Sequence, residues 1–131
     1  MYFSSNALAR KIEKLAQDSW KPVDLPPSHA YLLMLVIDQP GIQPLALAGQ
    51  LLLSPSTITR LVEKLETKKL VVRRQDGKSI HLHPTAKAHA LKQKLQQCLH
   101  HFYHTYSGIL GKEESARLVG NMNRITDKLP G

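Results

Sequence analysis

Between Leu51 and Pro84 the spacing of apolar residues changes once, from a period near 3.6 to a period of two. No other feature of the chain restricts its fold as much. Over "SPSTITRLVEKLE", residues 54–66, Ile58, Leu61, Val62 and Leu65 fall on one stripe of a helix. Ser54 supplies an N-cap hydroxyl, and Pro55 suits the first helical position, where no N–H is needed. In "LVVRRQDGKSIHLHP", Val71 and Val72 lie on one side of an Asp-Gly pair, and Ile80 and Leu82 on the other. That pattern predicts a β-hairpin, with Ile80 and Leu82 facing inward, His81 and His83 outward, and Pro84 closing the second strand.

Helices are expected on both sides of this pair. "SNALARKIEKLAQDSW" places Leu8, Ile12, Leu15 and Trp20 at helical spacing, with Ser5 or Asn6 as its cap. The proline-rich "KPVDLPP" breaks it. Ser28 is then expected to cap a nearly all-apolar, buried helix running to about Asp38. "LALAGQLLL" reads as a short third helix, in which Gly49 costs about 1 kcal/mol relative to Ala and suggests close packing. From Thr85 to about Tyr106 a long helix is expected, with Leu91, Leu95, Cys98, Leu99, Phe102 and Tyr106 along its seam. "SGILGK" breaks that helix. A last one follows with Glu113 and Glu114 at its positive end and Leu118, Met122, Ile125 and Leu129 on one face.

The length of 131 residues suits a single domain spanning 1–131. The longest apolar run, "AYLLMLVI", is too short to cross a bilayer, and the N-terminus lacks the apolar run of a signal peptide. One cysteine excludes an internal disulfide framework. The expectation is a cytoplasmic protein with no membrane partner. Net charge is +8, and the excess is uneven: residues 54–88 carry eight basic and three acidic groups. A polyanion is the natural partner for that segment.

Helix, tight turn, helix, basic hairpin is the order of a winged helix-turn-helix. On the 54–66 helix, Ser56, Thr59, Arg60 and Glu63 lie opposite the apolar stripe, with Thr57 and Lys64 on its flank. An α-helix fits the DNA major groove with its first residues at the base edges. Small hydroxyls permit close approach, and Arg60 can grip a guanine through two hydrogen bonds. Lys64, Arg73, Arg74 and Lys78 suit phosphate contacts, and one of the two strand arginines is free instead to face inward or pair with an acid. Ser54 belongs with the reading end but acts mainly as a cap. The candidate DNA-binding residues are therefore Ser54, Ser56, Thr57, Thr59, Arg60, Lys64, Arg73, Arg74 and Lys78.

The stretch "LALAGQLLLSPSTITRLVEKLETKKLVVRR" resembles the helix-turn-helix and first wing strand of the MarR family of bacterial transcriptional regulators. "DGKSIHLHPTAKAHAL" looks like that family's returning strand and the start of its dimer helix. The wing tip, Asp76-Gly77-Lys78, is shorter than is usual there, and Lys69 stands where a glycine often ends the recognition helix. The resemblance implies a mainly α fold with a small β-hairpin wing. The winged helix-turn-helix would span 28–84, and the dimerisation helices 1–20 and 85–131. It implies a homodimer on a pseudo-palindromic operator in double-stranded DNA, more often a repressor than an activator, relieved by a small-molecule effector, oxidation or metal.

"CLHHFYH" places His100 and His104 four residues apart on a helix, a spacing that metal sites use. His101 stands where the zinc-protease motif needs Glu, and Cys98 points some 160° away on the wheel. A solvated histidine face is the expected reading, and no metal or other cofactor is assigned. A metal-responsive regulator using His100 and His104 is one alternative. Another is a winged-helix protein-interaction module with no specific DNA site. Cys98, beside the apolar seam, is expected to be a small buried hydrophobe. No nucleophile motif, phosphate loop or carboxylate pair points to an enzyme.

Overall fold

The computed structural model describes residues 1–131, which form six helices and one two-stranded antiparallel sheet. The elements are α1 (Tyr2–Trp20), α2 (Pro27–Asp38), α3 (Pro44–Leu51), α4 (Pro55–Thr67), β1 (Val71–Asp76), β2 (Ser79–Pro84), α5 (Ala86–Leu110) and α6 (Lys112–Lys128). A short 3-10 turn, Lys21–Val23, joins α1 to α2. No single helix is long and apolar enough to cross a membrane.

The nearly all-apolar α2 is the hub. Leu32, Leu33 and Val36 are fully buried, and Trp20 at the end of α1 packs within 4.9 Å of Tyr31 and 5.4 Å of Phe102, measured between ring centroids. Leu47 of α3, Ile58 and Leu65 of α4, Leu82 of β2 and Leu95 of α5 complete this core, all at zero exposure. Each such side chain contributes about 1.5–3 kcal/mol by leaving water.

Several local expectations are corrected. α1 begins at Tyr2 rather than at Ser5 or Asn6, and the Ser5 hydroxyl donates to the Tyr2 carbonyl at 2.9 Å inside the helix. Nothing between Tyr2 and Ser5 breaks a helix, so the hydroxyl bonds backward and the helix runs on. α2 starts one residue before Ser28, with Pro27 at its first position and no side-chain cap. Gly49 packs against nothing, since a Cβ there meets no atom within 4 Å. α5 continues past Tyr106 and Gly108 to Leu110, because the break needs the positive φ of Gly111 (+88°).

The hairpin forms as expected, with its turn just after Asp76. Asp76 pairs with Ser79, so Gly77 and Lys78 are the loop. Only Gly77 has positive φ (+61°), the pattern of a type II′ rather than a type I′ turn. Leu82 faces the core, whereas Ile80 is 37% exposed because the hairpin tip extends beyond anything it can pack against. His81 does not simply face water. Its Nδ1 lies 2.8 Å from the Gly41 carbonyl oxygen. Beside it the Gly41 amide donates to Leu82 at 2.7 Å and Leu82 donates to Ile42 at 3.0 Å, which anchors the base of the wing to the α2–α3 connection.

The two ends of the chain pack differently. In α6 the only buried residue is Ser115, while Val119, Ile125 and Leu129 are exposed. Leu8, Ile12 and Leu15 of α1, Phe102 and Tyr106 of α5, and Leu118 and Met122 of α6 line an open apolar groove of about 220 Å³.

Candidate nucleic-acid interface

α3 and α4 meet at 111° across a three-residue turn, within the range of helix-turn-helix pairs. The turn is made without glycine. Leu52 takes the left-handed conformation (φ 57°, ψ 41°) and its amide caps α3 by donating to Ala48. Leu53 also donates to Ala48, at 3.1 Å. α4 then starts at Pro55 with Ser54 as N-cap, its Oγ accepting from the Thr57 amide at 3.3 Å. The Ser54 hydroxyl also lies 2.9 Å from that of Thr57 and 3.2 Å from that of Ser56. Thr59 donates to the Pro55 carbonyl at 3.1 Å. The hydroxyls thus order the first turn of α4, while those of Ser54, Ser56 and Thr59 stay exposed.

Ile58, Leu61, Val62 and Leu65 are buried, which forces Ser56, Thr59, Arg60 and Lys64 outward. Neither Arg60 nor Lys64 takes part in an ion pair. α4 stops at Thr67, and two residues on, Lys69 takes the left-handed conformation (φ 60°), doing the work expected of a glycine. The Lys69 amide donates to Glu66 and the Leu70 amide to Leu65, both at 2.9 Å, and the buried Leu65 and Leu70 complete this helix stop. Three further bonds stitch it to the start of α5. Thr85 Oγ1 donates to the Lys69 carbonyl at 2.7 Å, the Thr85 amide to Leu70 at 3.1 Å, and Lys87 Nζ to Lys68 at 2.9 Å.

The two strand arginines separate. Arg73 shares a strand face with the buried Val71, and its Nε donates to Glu66 at 2.7 Å, tying the hairpin to the last turn of α4. Arg74 points to the other face and is exposed, and Lys78 is exposed at the turn. The inward-pairing alternative is therefore Arg73. Periodicity cannot foresee its partner, because the chain reverses at Lys69 between the two residues. Sequence reasoning also passed over Lys68, one helical turn after Lys64, although the i, i+4 spacing was there to be read.

Outside this surface, His100 and His104 stack with centroids 6.0 Å apart, and no group of three His, Cys, Asp or Glu side chains converges there or elsewhere. Cys98 is 3% exposed, and burial pushes its thiol pKa up, away from the thiolate that oxidation chemistry needs.

Residues 23–79 match the family model described as MarR family. A comparison with curated proteins finds no match. Among solved structures, the fold is similar to that of a transcriptional repressor, CouR, bound to p-coumaroyl-CoA, with a TM-score of 0.85 at 18% identity over 98% of this chain and 93% of that one. It is similar to S. aureus MepR in complex with DNA, with a TM-score of 0.81 at 18% identity over 98% and 97%. A MarR family transcriptional regulator from Listeria monocytogenes complexed with 26mer DNA gives 0.77 at 18% identity over 97% and 87%. At such identities the likeness is one of fold.

Proposed function

We propose that the chain, whose residues 23–79 match the MarR family model, is a homodimeric transcriptional repressor of that family acting on a pseudo-palindromic operator. The observation that carries this reading is α4. Its inner face is closed by four buried residues, and its outer face presents Ser56, Thr59, Arg60 and Lys64 with no acidic partner for either cation. Ser56, Thr57, Thr59 and Arg60 read bases, with Ser54 organising their turn. Lys64, Arg74 and Lys78 hold phosphates, and Arg73 acts first as the strut that sets the wing against α4. MepR and the Listeria regulator, each solved with DNA, support a double-stranded DNA partner.

One reading helix covers only a few base pairs. Two copies related by a two-fold axis place two such helices about one DNA turn apart, with half-site centres roughly 10 bp from each other. The apolar groove between α1, α5 and α6 is the surface a second copy covers. Repression follows from occupying the operator, and an effector acts by changing the distance between the two reading helices. CouR, solved with p-coumaroyl-CoA, supports a small-molecule effector.

Selection of bound duplexes from a random library tests the reading. The parent is expected to enrich a two-fold site. Arg60→Ala is expected to lose about 1–3 kcal/mol on that site and to relax preference at one base pair per half-site. Enrichment of no sequence, or unchanged preference in the variant, overturns the assignment.

A further inference from the structure

Between the last two turns of α4 and the first turn of α2 lies a recess of about 350 Å³, lined by Pro26, His29, Lys64, Thr67 and Lys68. No carboxylate and no large apolar side chain lines it. Lys64 and Lys68 are exposed, one helical turn apart, and without ion pairs. His29 is only 7% exposed, and its Nδ1 is buried with no hydrogen-bond partner. An orphaned buried ring nitrogen costs free energy unless something completes it. The start of α2 adds to the deficit. Pro27 has no N–H and no side chain caps the helix, so the first amides of α2 have no partner within it.

The groups that line the recess fix the chemistry of what it can hold. Two lysine side chains line the recess, and neither has an ion-pair partner. Burial above all, then Lys64 and Lys68, push the His29 pKa down, so its ring is neutral and keeps one N–H to donate. Two cations, a donor and a helix N-terminus together complement an oxyanion.

We propose that this recess holds a phosphate of the DNA backbone, with Lys64 and Lys68 as its charge partners and His29 as a hydrogen-bond donor. The inference rests on the DNA-binding reading above and deepens it. Continuity with the reading surface argues for DNA rather than a free anion. Arg60, Lys64 and Lys68 stand at i, i+4 and i+8 along α4 and its C-cap, a rise of about 12 Å. The major groove is about 12 Å wide. A helix with its first turn at the base edges therefore carries its last turn toward the strand that bounds the groove, where the phosphates are.

The test uses the full-length protein, a duplex recovered by selection and a random duplex of equal length. Lys68→Ala is expected to weaken both duplexes by the same factor. Its slope of log affinity against log salt is expected to be flatter by about one unit, and Lys68→Arg to restore it. Ethylating single phosphates distinguishes a backbone contact from a diffuse field or a free anion. At one phosphate per half-site, ethylation is expected to hinder the parent but not Lys68→Ala. His29→Leu is expected to weaken both duplexes, and His29→Gln, which keeps a donor, to recover part of the loss. If His29→Leu fails to fold, Lys68→Ala decides. A parent that binds DNA, with Lys68→Ala keeping its slope and ethylation pattern, overturns the recess alone. A parent that binds neither duplex overturns the DNA-binding reading together with it.

Discussion

The middle of this molecule, from Trp20 to Cys98, holds every buried apolar side chain except Ala16, although Leu45, Leu52, Val72 and Ile80 stay exposed there, whereas its two ends bury almost none. Leu32, Leu47, Ile58, Leu65, Leu82 and Leu95 are sealed by one another. At the ends, Ile109, Val119, Ile125 and Leu129 face outward and α6 buries a single serine. Under the proposed function, the contrast separates two tasks. A reading surface has to be rigid before DNA arrives, so its scaffold closes without help. A pairing surface has to leave apolar area open for the partner to cover.

The largest expected effect breaks the self-sufficient middle. Leu65→Ala removes a fully buried side chain beneath the reading helix and is expected to cost about 2–5 kcal/mol in urea unfolding. A loss below about 1 kcal/mol would mean that this core is not the closed unit described. Next come the ends. Val119→Lys combined with Met122→Lys puts charge on α6 at the groove. The parent is expected to sediment at twice 14.7 kDa and to melt at a temperature that rises with protein concentration. The double variant is expected to sediment at 14.7 kDa with concentration-independent melting. A parent already monomeric would show that the ends are complete alone.

A smaller effect sharpens the division of labour within α4. Ser54→Ala removes the cap of the reading helix and is expected to cost about 1 kcal/mol of stability. If DNA affinity falls by much more than stability does, Ser54 contacts DNA rather than ordering the turn that does. The smallest effect lies on the histidine pair. His100→Ala with His104→Ala is expected to shift unfolding by less than about 0.5 kcal/mol and to leave DNA binding intact. A chelator that abolishes the parent's DNA binding, mimicked by the double variant, would make the pair a metal site instead.

Much of the reading end was legible in the residues because its determinants are local. The Ser54-Pro55 start, the Ile58–Leu65 stripe and the hairpin each depend on neighbours within a few positions. The exact turn was not legible, because Asp-Gly admits two hairpin placements and only strand pairing selects Gly77-Lys78 as the loop. The helix starts slipped at Ser5 and Ser28 for a related reason. A serine can cap a helix or ride inside it, and its own position does not say which.

By itself, then, the sequence determined the order of elements, the buried face of α4, the basic hairpin and the unpaired apolar stripes at both ends. These follow from residue spacing along single elements. Only the tertiary structure decided which charges remain free. Arg73 meets Glu66 across a chain reversal, His81 meets the Gly41 carbonyl forty residues away, and His29 settles beside Lys64 and Lys68. Hydrogen bonds and charge pairs act over a few ångströms. Residues distant in sequence acquire such partners only once the core has brought their elements together.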